Sequence, residues 1–218
     1  MPVPSRFGVL ASGHHGGGGG ATTLNPLDCS TSLSLSSGNL TATRNLVTNG
    51  RWVSARATTS KSTTKRYFEA TATNPETALA VGLANAAFVI DNGGQNVVGF
   101  DGAGNSIGYD ATGLIAIAGT STVSASAWFS PGDVAQVAVD LGARLFWGRA
   151  NGGQWNGSPT ANPATGVGGI SMTGAISTGA LFPAVSAFDP GPPADTITIN
   201  FGATTFSGSI PAGFSAWG

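Results

Sequence analysis

Pro131-Gly132-Asp133-Val134-Ala135-Gln136-Val137-Ala138-Val139-Asp140-Leu141-Gly142-Ala143-Arg144-Leu145-Phe146-Trp147 reads as one β-hairpin. A Pro-Gly-Asp turn opens it, and Val134, Val137, Val139 and Leu141 supply the apolar contacts of a strand. Gly142-Ala143-Arg144 is a tight connection, and Leu145-Phe146-Trp147 starts the return. Branched and aromatic residues bounded by Gly, Pro and Asp are the signature of strands joined by turns.

The same grammar extends in both directions. Leu33, Leu35 and Leu40 alternate with Ser and Thr across Ser37-Gly38-Asn39, as in a hairpin. Val53 to Ala57, Arg66 to Thr73, Ala78 to Ala84, Phe88 to Ile90 and Val97 to Phe100 read as strand-like runs, and so do Leu181 to Phe188 and Thr196 to Phe201. Asp91-Asn92-Gly93-Gly94 and Asp189-Pro190-Gly191-Pro192-Pro193 are turns, and residues 150–169 form a long Gly/Asn/Pro-rich loop. Pro and Gly interrupt too often for a long helix, and the spacing suits an all-β sandwich or barrel.

Composition agrees. Charged residues are 9% of the 218 and 34 are glycine, while hydrophobic residues at 41% suffice for a packed core. With so few charges the exterior must be built from Ser, Thr, Asn, Gly and backbone. A net charge of −1 gives no global pull toward nucleic acid or an anionic membrane. No stretch approaches the ~18 apolar residues of a membrane span, so neither nucleic-acid binding nor membrane insertion is expected. Six cations (Arg44, Arg51, Arg56, Lys61, Lys65 and Arg66) fall in an acid-free stretch. They read as the solvated outer face of a sheet, with a basic patch as the other reading. The lone Cys29 excludes an internal disulfide and reads as a small buried hydrophobe.

Residues 1–23 read as a separate arm, with polyglycine from Gly16 to Gly20, and residues 24–218 as the β domain. The apolar run from Phe7 to Ala11 is too short for a secretory signal. A protein made and kept in a cytosol, or released without a signal, is expected. His14-His15 beside a floppy linker is not a preorganised metal site.

No catalytic constellation is visible. Both histidines lie in the arm, and Glu69 and Glu76 lack an acid two residues away of the kind lectin-like glycanases use. Glu69 is expected to satisfy buried backbone or to pair with a neighbouring Arg. Asp91, Asp101, Asp110, Asp189 and Asp195 sit in turns where Asp caps backbone. Asp101, Asn105 and Asp110 offer oxygens to Ca²⁺, but no Glu closes an EF-hand-like loop, and neither metal nor cofactor is expected. Trp52, Trp128 and Trp147 read as core, and Trp217 as closing the sandwich edge. Trp155 has no apolar neighbours in sequence. With Asn151, Gln154 and Asn156 it reads as a ligand surface at the sandwich end, aided by Asp101, Asn105 and Tyr109. The other reading folds Trp155 back as a lid.

Several segments in order resemble the SPRY (B30.2-like) domain. Leu24-Asn25-Pro26 with Leu33-Ser34-Leu35 is similar to its first strand pair, and Arg66-Tyr67-Phe68-Glu69 to its Tyr-Phe-Glu strand. Ala80-Val81-Gly82-Leu83-Ala84 and Ile107-Gly108-Tyr109 resemble the strands that follow. Pro131 to Trp147 resembles its Gly-Asp-Val…Leu-Asp…Leu-x-Phe hairpin. Leu181-Phe182-Pro183-Ala184-Val185 and Asn200-Phe201-Gly202 resemble its closing pair. The ordered set spans about residues 24–217, and Arg149-Ala150-Asn151-Gly152-Gly153 departs from the usual Lys-Asn-Gly. The resemblance implies a bent two-sheet antiparallel sandwich of the concanavalin-lectin type, and a binding module without shared catalytic residues. The low-charge style and the closing Pro211-Ala212-Gly213-Phe214 resemble SPRY-like domains of tailed-phage virion proteins. That implies a decoration, spike or tail-fibre component, assembled in host cytoplasm as a multi-copy or homo-oligomeric part of the particle. Residues 1–23 would bind other virion proteins, and sandwich-end loops a cell-surface glycan or protein. A cellular SPRY-type interaction module is the alternative.

Overall fold

The computed structural model describes residues 21–45, 50–76, 78–91, 96–188 and 194–218. Polyglycine, His14-His15 and Asp189 lie outside the described residues, as does most of the arm. The described chain holds fifteen strands: β1 (Leu24–Cys29), β2 (Leu33–Ser36), β3 (Thr41–Arg44), β4 (Val53–Ala57), β5 (Lys65–Asn74), β6 (Leu79–Ala84), β7 (Ser106–Asp110), β8 (Leu114–Ile117), β9 (Thr120–Ser124), β10 (Val134–Asp140), β11 (Leu145–Ala150), β12 (Ile170–Ser171), β13 (Phe182–Ala187), β14 (Thr196–Asn200) and β15 (Ser215–Ala216). Its helical elements are three single 3₁₀ turns, at Trp155–Gly157, Pro163–Thr165 and Gly174–Ile176.

Two sheets form the all-β sandwich read from the sequence. One runs β1-β4-β13-β6-β7-β8-β9, and the other β12-β11-β10-β5-β14-β3-β2 with β15 added to β5. Every pairing is antiparallel except β15 with β5. The opening hairpin is in register, with Val137 opposite Gly148 and Asp140 opposite Leu145. Inward residues of both sheets make one core, among them Phe68, Val81, Leu83, Ile107, Val137, Phe146 and Ile197.

Three readings are corrected. Phe88 to Ile90 and Val97 to Phe100 are not strands. They belong to the segment between β6 and β7, which crosses the outer face of the first sheet and packs Phe88 and Val98 on Ala84 and Ala184. That cover explains why β6 is buried at every residue. It also needs the glycines, since a Cβ on Gly108 would collide with the Val98 carbonyl. The strands β8 and β9 form a further hairpin, from Leu114 and Ile115 onward, that the reading of this region passed over.

The cation-rich stretch makes neither a patch nor a uniformly solvated face. Arg44 is 1% exposed and donates to the Ser32 carbonyl. Arg56, 8% exposed, forms a bidentate pair with Asp28 at 2.7 and 2.8 Å and donates to the Asn85 and Phe88 carbonyls. The planar guanidinium satisfies four acceptors here, tying β1, β4 and the crossing segment together. Cys29 is half-buried. Burial, with Asp28 adding to it, pushes its thiol up to about 11, so it stays protonated at neutral pH.

Candidate functional site

The anticipated ligand surface divides between the two ends of the sandwich. Asp101 and Asn105 lie where β7 begins, beside the end of β6, since Ser106 pairs with Ala84. Asn151 and Gln154 follow β11, whose last residue Ala150 pairs with Ala135 at the far end of β10. The crossover from Ala57 to Lys65 joins the first end of both sheets, so the two groups stand at opposite ends. Asp101 accepts from the Gly104 and Asn105 amides, and Asp110, at the other end of β7, accepts from Thr112 and Leu114. These are capping roles, and no cluster of three metal-ligating side chains occurs among the described residues. Tyr109 is fully buried, its hydroxyl donating to the Ser126 carbonyl. Burial, then Asp110 and Asp133, raises its pKa.

Trp155 is 8% exposed, packed with Tyr67, Ala138 and Trp147 on the outer face of the second sheet. The Arg149 guanidinium sits 4.1 Å from its ring centre. Asn156 is buried too. Its side chain accepts from the Gly148 amide and donates to the Phe146 and Gly168 carbonyls, which pins the long loop to β11. Asn151 closes the turn before β10, accepting from the Val134 amide and donating to Asp133, and Gln154 is exposed. The lid reading of Trp155 matches this placement, although the lid covers a sheet face and not a sandwich end. Of the other tryptophans, Trp128, Trp147 and Trp217 are core. Trp52 is only half-buried, lies 5.3 Å from Phe188 and lines a recess of ≈ 190 Å³ with Val97, Phe100 and Asp110.

The centre of that outer face is Glu69. At 3% exposure its carboxylate accepts from the Tyr67 hydroxyl (2.6 Å), Gln136 Nε2 (3.0 Å), the Gly208 amide (2.8 Å) and the Ser207 amide (2.8 Å). The expectation of backbone satisfaction is met by the last two. Pairing with Arg is indirect, because Arg149 donates to Gln136 Oε1 at 2.6 Å. Burial, followed by the hydrogen bond to Glu69, raises the Tyr67 pKa. Glu69 thereby fastens the chain after Phe201 across the sheet, and that segment's Phe206 meets Tyr67 edge to face at 4.9 Å.

Beyond Glu69 the same face is open. Three adjacent strands carry Thr-x-Thr with the middle residue inward: Thr41-Ala42-Thr43, Thr71-Ala72-Thr73 and Thr196-Ile197-Thr198. Thr198 is opposite both Thr41 and Thr71. Its hydroxyl lies 3.0 Å from that of Thr41 and 2.8 Å from that of Thr73. Ser37 and Leu40 on one side, and Thr204, Thr205 and Ser207 on the other, wall this floor into a groove of ≈ 590 Å³ that reaches Glu69. No Lys, Arg or His among the described residues lines it. The sequence reading missed these residues, although the three Thr-x-Thr repeats were a visible signal.

No protein-family model and no curated protein matches the chain in sequence. Solved structures do match in fold. The SPRY domain of human HERC1 aligns over 84% of this chain and 99% of its own length, at 16% identity and TM-score 0.60. The TRIM65 PSpry domain aligns over 82% and 91%, at 12% identity and TM-score 0.56. Stonustoxin aligns over 82% of this chain and 27% of its own, at 15% identity and TM-score 0.55. At such identities the likeness is one of fold, and together with the two antiparallel sheets it gives this chain the architecture of a SPRY domain.

Proposed function

We propose that the chain is a non-catalytic recognition module carried in many copies on a phage-type virion, as a decoration, spike or tail-fibre component. One observation carries the geometry of this reading. The first described residues and the C-terminal residues meet at one end of the sandwich. Ala21 and Thr22 share a recess of ≈ 120 Å³ with Phe201, Gly202 and Gly218. Thr59 bonds both ends, through its hydroxyl to Thr22 (2.6 Å) and through its carbonyl to Trp217 Nε1 (3.1 Å). Residues 1–20 therefore join the domain at that end, and an anchor there leaves the opposite end and the open sheet face directed outward. A chain with nine basic and ten acidic residues in all, some of them buried, lets copies crowd together without strong repulsion. The fold supports the binding role, since SPRY domains work as interaction modules.

The likeness to HERC1 and TRIM65 favours a second reading, a cellular interaction module of SPRY type. Deleting residues 1–23 separates the two. The virion reading expects the intact chain in purified particles by mass spectrometry. It also expects the deletion to abolish incorporation while the circular dichroism of the β domain is unchanged. A chain that never co-purifies with particles overturns it.

A further inference from the structure

We infer that the open half of the second sheet's outer face binds a neutral, hydroxyl-rich chain: an oligosaccharide without carboxylate, sulfate or amino groups. The inference rests on the reading of the protein as a recognition module and names the ligand class of the groove.

Proton counting along the floor gives the first reason. The Thr73 hydroxyl donates to the Thr71 carbonyl at 3.4 Å. A hydroxyl has one proton, and the three hydroxyls of Thr41, Thr198 and Thr73 make three contacts in a row ending on the Thr71 carbonyl, so the row uses its protons internally whichever way each hydroxyl pair points. Each of these oxygens keeps lone pairs, while none keeps a donor. Glu69 adds to the acceptors. Its Oε1 takes three donors, its Oε2 takes the Ser207 amide, and a carboxylate oxygen has room for a second. The row and Glu69 thus ask for donors, while the hydroxyls of Thr71, Thr204, Thr205 and Ser207 along the same groove can donate or accept, which together suits the donor-and-acceptor hydroxyls of a sugar.

Charge and shape narrow the class. With no cation lining the groove, an acidic glycan would desolvate its anions beside Glu69 without compensation. Glu69 already has four donors and presents no bare charge that would need an ammonium partner. The threonine methyls and Leu40 give apolar patches between the hydroxyls, matching the alternating C–H and O–H surface of a sugar ring. An extended peptide finds no edge here, because the strands under the groove are hydrogen-bonded on both sides. The volume of ≈ 590 Å³ falls within the roughly 300–1,000 Å³ of small-molecule sites, enough for a short oligosaccharide. No aromatic ring among the described residues lines the groove, so each site binds weakly and attachment relies on many copies.

The test is an NMR titration of the ¹⁵N-labelled full chain with neutral hexasaccharides (gluco-, manno-, galacto- and xylo-series), a hexauronate and a hexameric chitosan. Saturable shifts at the amides of Thr41, Thr71, Thr198 and Thr204 are expected with at least one neutral series and not with the charged ones. The double variant Thr71→Val/Thr198→Val keeps the shape of the floor and should bind about tenfold more weakly, the loss of one to two hydrogen bonds. Response to charged oligomers alone, silence to every neutral series at millimolar concentration, or shifts confined to the Asn151–Gln154 loop would each overturn the inference. Incorporation into particles is scored separately. A chain that incorporates but binds no neutral glycan sinks this inference alone, and one that binds but is absent from particles sinks the virion reading alone.

Discussion

The two halves of one sheet face show how the same strands make a covered surface and an open one. Around β10 and β11 the outward residues are Tyr67, Ala138 and Trp147, too apolar to leave in water, and the long loop and the C-terminal segment close over them with Trp155, Phe206 and Phe214. Around β3 and β14 the outward threonines are half-buried, and no loop among the described residues crosses them. Glu69 stands at the boundary, bonded to both a β10 side chain and the covering segment. The cover is therefore a consequence of what the strands present, and the carboxylate fixes where it stops.

The largest effect expected from breaking this arrangement is at Glu69. Glu69→Leu strands two buried donors, the Tyr67 hydroxyl and Gln136 Nε2, and two part-buried ones, the Ser207 and Gly208 amides, which water can reach. Leaving a buried donor unpaired costs about 1–3 kcal/mol, so with the lost fastening of the C-terminal segment a loss of about 4 kcal/mol is expected. Urea unfolding monitored by tryptophan fluorescence checks it. A loss below 1 kcal/mol would mean that the C-terminal segment is not fastened there.

Next comes Trp155→Ala, which empties space under the long loop and removes the ring that Arg149 stacks on. The expected cost is about 3 kcal/mol, seen as a drop in melting temperature of roughly 6–12 °C for a domain of this size. An unchanged melting temperature with lost binding would restore the solvent-facing reading of this residue.

The contrast between the halves also explains what was legible in the sequence. Strand positions were readable wherever branched residues met local turn signals, as in the Val134–Asp140 hairpin, because both cues lie within a few residues. The burial of Trp155 was not, since its partners Tyr67 and Trp147 come from other strands and its own neighbours are Gly and Asn. Asn156 misled for the same reason: an amide in a glycine-rich loop looks solvated until β11 supplies the backbone groups it bonds. The hydroxyl floor needed pairing information. Each Thr-x-Thr is visible alone, but only the register of β3, β14 and β5 sets the threonines side by side.

A pH series sharpens the comparison at its boundary. Tyr67 has its pKa raised above the value of 10.0 it has when free, chiefly by burial. The folded state holds the proton more tightly than the unfolded chain, so this stability is complete below pH 10 and is lost as pH rises beyond it. Tyr67→Phe should remove about 1.4 kcal/mol per pH unit from the alkaline limb. Tyr109, shifted in the same direction, should keep the limb from vanishing. An unaltered limb in Tyr67→Phe would place the alkaline transition elsewhere.

The smallest effect on stability is expected on the open half. Thr198→Val removes a hydroxyl that bridges Thr41 and Thr73, but all three oxygens are within reach of water, which replaces the lost partners. Valine keeps the branched shape and suits a strand at least as well as threonine. The net change should stay within about 0.5–1 kcal/mol, the usual net worth of one solvent-accessible hydrogen bond. Differential scanning calorimetry of Thr198→Val beside Trp155→Ala decides the matter. If the two variants lose comparable stability, the hydroxyl row is a structural element of the sheet and the division of the face into covered and open halves fails. If Thr198→Val melts like the parent, any loss of ligand binding it shows belongs to the groove itself.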